Sequence, residues 1–187
     1  MVDALVSNTS DSNIVPVRSR PWAQFSSRMS EKSNEQEKQL AIDKRYLSMA
    51  RIWASNSYCI RRQVGALLVK DKMIISDGYN GTPAGFENEC EDDHDTTKSY
   101  VLHAEANAIT KVAKSNNSSE GSTLYITTSP CMECSKLIIQ SGIIRVVYQE
   151  KYRITDGLDL LDRAEIELVH LPEIEDLMAT NLKGKRA

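Results

Sequence analysis

No run of apolar residues in this chain approaches the roughly 20 that a membrane-crossing helix needs. A soluble protein without a membrane partner is therefore expected. An excess of positive charge is missing as well: 23 Lys and Arg stand against 26 Asp and Glu, a net charge of -3. Proteins that track a phosphate backbone carry a basic face, so this balance speaks against a nucleic-acid partner. Residues 1–30 lack the continuous apolar core of a secretory signal, and a cytoplasmic location is the expectation. Cysteine is scarce: Cys59, Cys90, Cys131 and Cys134. Without a secretion signal these are expected to be thiols or metal ligands rather than disulfides. No internal repeat is found, and an ordinary hydrophobic share of 41% is enough for one domain with a core.

Residues 1–35 are polar and aperiodic and read as a flexible extension, with the folded domain over 36–172 and a tail over 173–187. Leu40, Leu47, Ala50 and Ala54 recur at helical spacing and predict a helix from Glu35 to Ser57. Val64–Val69 and Met73–Ser76 flank the polar break Lys70-Asp71-Lys72 and predict a β-hairpin. Gly78 to Thr97, rich in glycine and polar residues, reads as a loop. A helix over Val101–Ala113 follows, then a strand over Thr123–Thr127. Next comes a helix over Cys131–Ser141, begun by Pro130 in its first turn and stopped by Gly142. A strand over Ile143–Tyr148, a helix over Gly157–Ala164 and a strand over Ile166–Val169 complete the order. This alternation predicts an α/β fold: a mixed sheet with helices on its faces, in which strands joined through helices run parallel.

Three separated phrases carry chemistry: Gly78-Tyr79-Asn80-Gly81-Thr82-Pro83, Val101 to Ile109, and Thr128 to Cys134. Cys131 and Cys134 lie three apart, so on the first turn of a helix both sulfurs face one point. The positive end of that helix favours their thiolate forms. His103 offers a third ligand, and three nitrogen and sulfur donors are what a catalytic Zn2+ takes, leaving its fourth position open. Glu105, two residues on, is placed to move protons without ligating the metal. A lone Cys-x-x-Cys also fits a structural zinc or a redox pair. His-x-Glu followed by Pro-Cys-x-x-Cys, however, is the pattern of zinc deaminases that act on cytosine or adenine.

The phrases HAEANAI, LYITTSPCMECSKLIIQSGIIRVVY and GYNGTPAGFEN resemble the deoxycytidylate deaminases of the zinc-dependent cytidine/deoxycytidylate deaminase family, and the likeness runs from Tyr46 to Val169. The resemblance implies a three-layer α-β-α fold with a mixed five-stranded sheet. It implies conversion of dCMP to dUMP and ammonia, which supplies thymidylate synthesis. Carried onto this sequence, it makes His103, Cys131 and Cys134 the zinc ligands and Glu105 the proton shuttle. Asn80 falls near the sugar, Ala104 and Ser129 frame the pyrimidine's amide edge, Val64 packs on the ring, and Tyr152 touches substrate. Arg61, Arg62 and Lys151 are the candidates for the monophosphate.

The resemblance further implies a homohexamer with an effector site that takes dCTP as activator and dTTP as inhibitor, as Mg2+ complexes. Gly78, Asn80, Gly81 and Lys114 are its candidates here; Lys114 stands where feedback-regulated relatives often carry arginine. A second, structural zinc occurs in some relatives, and Cys59, Cys90 and His94 are the residues available for one. Two rival functions share parts of this pattern. A transfer-RNA adenosine deaminase should show a basic surface, and a catalytically silent zinc protein would be expected to lack Glu105.

Overall fold

The computed structural model describes the backbone of residues 21–172 and the side chains of residues 31–172. Of the flexible extension expected over 1–35, residues 1–20 lie outside the described residues, as does the tail expected for 173–187, while residues 21–35 are helical. Helix α1 runs from Pro21 to Ala54, so it begins well before Glu35. Neither glycine nor a second proline interrupts that stretch, and Pro21 suits a first helical turn. The chain divides after Lys38. In the N-terminal unit residues 31–38 are helical and exposed.

The unit from Gln39 onward contains the rest of α1 and every other element: β1 (Gly65–Lys70), β2 (Met73–Tyr79), α2 (Ala104–Val112), β3 (Thr123–Thr128), α3 (Met132–Gln140), β4 (Arg145–Glu150), α4 (Asp156–Arg163) and β5 (Glu167–His170). α1 stops at Ala54 instead of Ser57. Ser55, Asn56 and Ser57 donate instead to the carbonyls of Ile52, Trp53 and Ala54, the tighter bonding that closes a helix end. The hairpin forms as the sequence predicts, with Asp71 and Lys72 at φ 51° and 63°. Positive φ at both central residues matches the right-handed twist of the paired strands.

The sheet order is β2-β1-β3-β4-β5. β1 is antiparallel to both β2 and β3, whereas β3, β4 and β5 are parallel. β2 and β3 therefore point the same way, and each helix-linked pair is parallel as expected. The mixed five-stranded sheet of the sequence reading is thus observed.

Alternation along the strands sorts the core into two layers. Ala66, Leu68, Leu124, Ile126, Val146 and Tyr148 face α2, α3 and α4 through Ala108, Ile138 and Leu161. Leu67, Val69, Tyr125 and Val147 face α1 through Leu47 and Ala50. Two glycines let the helices approach. A Cβ on Gly65 would lie 2.1 Å from the Ala50 carbonyl oxygen, and one on Gly78 would lie 2.1 Å from that of Ala104.

Buried Asp43 pins α1 to the sheet. Arg145 grips its carboxylate with two N–H bonds of 2.9 and 2.7 Å, and the Tyr125 hydroxyl donates a third at 2.8 Å. Burial pushes the Asp43 pKa up, but the Arg145, Tyr125 and Gln39 hydrogen bonds outweigh it and hold the carboxyl below its ordinary range.

Candidate active site

The carboxyl ends of β2, β3 and β4 and the start of antiparallel β1 lie at one edge of the sheet, where α/β folds place their ligands. The N-termini of α2 and α3 open onto the same edge. His103 is the N-cap of α2 and Cys131 the N-cap of α3, both in extended conformation. The sequence places both inside their helices; the structure sets each just outside, at the N-cap, and Pro130 precedes the cap instead of occupying the first turn. Cys134 sits on that first turn.

His103 Nδ1 lies 3.4 Å from each sulfur. Among the described residues these form the one cluster of three or more His, Cys, Asp or Glu with metal-ligand spacing. Zinc bonds of about 2.0–2.3 Å at tetrahedral angles bring such donors to roughly 3.5 Å of one another, so one imidazole and two sulfurs at this spacing fit Zn2+. The ligands influence one another strongly. Hydrogen bonds from Cys134 and His103 pull the Cys131 thiol down to about 3. The same contact with Cys131, together with burial, pushes the Cys134 thiol up. The hydrogen bond with Cys131 also raises His103.

Glu105, on the first turn of α2, is 4% exposed. Burial is the main reason its carboxyl is pushed up to about 7, the range in which a carboxyl both takes and gives a proton near neutrality. On the far side of the ligand turn, α4 touches it directly. A Cβ on Gly157 would lie 2.5 Å from the Pro130 carbonyl oxygen and 2.8 Å from the Cys131 carbonyl carbon.

A cavity of about 280 Å³ covers this cluster, and Val64, Asn80, Ala104, Glu105, Ser129 and Tyr152 all line it, as do Arg61 and Arg62. The sequence-derived substrate residues are thus brought together. Lys151 is exposed and does not line the cavity. Ala104 opens α2, where a helix leaves its first N–H groups without internal partners. The Ser129 N–H donates to Glu150 O and its hydroxyl accepts the Tyr152 N–H, each at 2.8 Å. Arg62 lies over the Tyr152 ring at 5.6 Å and reaches Glu150 at 3.6 Å. The outer wall contains residues the sequence reading missed: Glu91, Thr97, Val101 and Thr128. Val101 and Thr128 open two of the phrases that carry the chemistry, where no role was read for them, whereas Glu91 and Thr97, paired with each other in an isolated bridge, have no mark in their local sequence.

Asn80 has a second task. Its Oδ1 accepts the Val64 N–H at 2.7 Å and its Nδ2 donates to the Arg62 carbonyl at 2.8 Å. One N–H and one lone pair remain for a ligand. Two of the effector-site candidates are already engaged by the fold. Gly78 is buried beneath α2, and Gly81 exchanges both backbone bonds with Leu102. Lys114, past the end of α2, is exposed and apart from the cavity.

The cysteine expectation needs one correction. Cys59 and Cys90 are joined in a disulfide, so they are neither free thiols nor ligands, and Cys131 and Cys134 are the free pair. His94 is exposed and outside the metal cluster. Pairing across 31 residues leaves no local signature.

A model of the cytidine and deoxycytidylate deaminase zinc-binding region matches residues 40–150. The chain belongs to this family. A dCMP deaminase from cyanophage S-TIM5, crystallised with dCMP and dUMP, shares 45% identity at a TM-score of 0.69, over 70% of this chain and 97% of that one. The deoxycytidylate deaminase of Enterobacteria phage T4 is 34% identical across 68% of this chain and 88% of its own length. The enzyme of Saccharomyces cerevisiae is likewise 34% identical, but the chain spans only 44% of it. The α/β fold with its mixed five-stranded sheet matches that of the cyanophage enzyme, and the deaminase motifs fall within the matched region.

Proposed function

We propose that this chain catalyses dCMP + H2O → dUMP + NH3, with Zn2+ held by His103, Cys131 and Cys134. The observation that carries the reading is buried Glu105 beside a three-donor cluster, on the floor of a cavity rimmed by Arg61 and Arg62. Zinc, when bound, supplies Lewis-acid activation of a water at near-neutral pH. Glu105 takes a proton from that water and returns one to the departing amine, a role suited to a carboxyl raised to about 7. Ala104 offers its N–H and Ser129 its carbonyl to the amide edge of the pyrimidine. Val64 lies against the ring, and the free N–H of Asn80 meets the sugar. Arg62, steadied over Tyr152, and Arg61 take the phosphate; Lys151 is left out.

Assembly as a cytoplasmic homohexamer, with activation by Mg-dCTP and inhibition by Mg-dTTP, belongs to the same reading. Lys114, exposed past the end of α2, stays an effector candidate in this reading; Gly78, buried beneath α2, is left out. The product then serves thymidylate synthesis. The deciding experiment measures ammonia release from dCMP, deoxycytidine, cytidine and adenosine-containing RNA. The expected result is turnover of dCMP well above the others. Equal turnover of deoxycytidine would remove the phosphate from the recognition, and turnover of RNA alone would replace the substrate class.

A further inference from the structure

The Cys59–Cys90 disulfide lies beside the substrate cavity, with Cys59 in its lining. Both cysteines are buried, at 3% and 1% exposure. Cys59 begins the irregular stretch that supplies Arg61, Arg62 and Val64. Cys90 begins the loop whose Glu91 and Thr97 pair as an isolated bridge. The two stretches meet through few other bonds. Glu91 accepts the N–H groups of Ile60 and Arg61, each at 3.2 Å, and Arg61 Nη1 donates to Thr97 Oγ1 at 3.2 Å. All of these are exposed to solvent, where polar contacts contribute little on their own. The zinc ligands and Glu105 are set at the N-terminal ends of α2 and α3, and the hydrogen bonds of Cys59 and Cys90 go to Ser57, Asn80 and Lys98 rather than to them.

We infer that the Cys59–Cys90 disulfide is a positioning device for substrate, holding the Arg61–Val64 wall against the Glu91–Thr97 loop. Its reduction by a dithiol therefore weakens dCMP binding while sparing the chemical step. The exchange is balanced. One thiolate of the dithiol attacks a sulfur of the pair and forms a mixed disulfide, releasing the other cysteine. The second thiolate then closes the reductant's own disulfide and releases the first cysteine. Two electrons pass to the protein, and two protons end on Cys59 and Cys90. A wall that loosens costs binding equally in ground and transition states, which raises KM and leaves kcat.

This inference rests on dCMP as substrate. The experiment has three readouts on the full chain: thiols counted under denaturing conditions with chelator, zinc content, and dCMP kinetics. The untreated protein should show two thiols, from Cys131 and Cys134, among its four cysteines. Treatment with dithiothreitol, and separately the Cys59→Ser/Cys90→Ser variant, should raise KM for dCMP about tenfold with kcat changed less than about twofold. Zinc content should be unchanged, and reoxidation of the treated protein should restore KM. If the variant does not fold, the treated wild type carries the test alone. An unaltered KM after reduction would overturn the inference. So would four thiols together with a second zinc, which would make the pair metal ligands. Turnover that ignores the bond strikes this inference only, whereas untreated protein that fails to deaminate dCMP strikes the proposed function and this inference with it.

Discussion

Asn80 and Val64 hold each other by two hydrogen bonds: Val64 N–H donates to Asn80 Oδ1 at 2.7 Å, and Asn80 N–H donates to Val64 O at 3.1 Å. A third bond, from Asn80 Nδ2 to the Arg62 carbonyl, ties the same amide to the Arg61–Val64 stretch. The residue is both a ligand candidate and a brace. Asn80→Ala should leave the Val64 N–H and the Arg62 carbonyl unpaired, at about 1–3 kcal/mol. A fall in kcat/KM for dCMP and a lower Tm are both expected. Thermal unfolding makes the distinction: a side chain that touched only substrate would leave Tm unchanged.

Glu105 is inside the cavity but outside the metal cluster. Glu105→Gln should lower kcat by about 10²–10⁴-fold, the range of a lost general acid–base. Metal analysis should still find one zinc per chain. Cys134→Ala, by contrast, should lose the metal. Zinc loss in the Glu105 variant would mean that the carboxylate is a ligand and would change the mechanism.

The Asp43–Arg145 pair predicts acid sensitivity. The folded carboxyl titrates below its ordinary 3.8, so it stays charged at a pH where the unfolded chain takes up a proton. The contribution is complete above the ordinary value and is lost as pH falls through the folded one. Asp43→Asn should destabilise by about 1–3 kcal/mol near neutral pH, because it removes the charged partner of Arg145's two terminal nitrogens and leaves the half-buried guanidinium only the exposed Glu167. Urea unfolding of both proteins across this acid range should show the gap closing as pH falls. A constant gap would assign the loss to packing instead of charge.

Much of this protein was legible along the chain. Local periodicity located every strand and helix from Gln39 onward, because burial on one face leaves a repeat of about two or 3.6 residues. His103, Glu105, Cys131 and Cys134 were recognisable because their chemistry demands fixed short spacings. The family phrases added the count of five strands and the candidates that line the cavity.

Only the tertiary structure decided what depends on distant partners. Local spacing could not reveal that Cys59 meets Cys90, that Glu91 and Thr97 wall the cavity, or that Asp43 is held by Arg145 across 102 residues. Gly78 reads as a turn glycine in sequence, yet it is the close-packing point of α2 on β2. Asn80 reads as a ligand, yet most of its amide is spent on backbone. A residue's type sets what it can bond, but which bonds it makes depends on the groups the fold brings within about 3 Å of it.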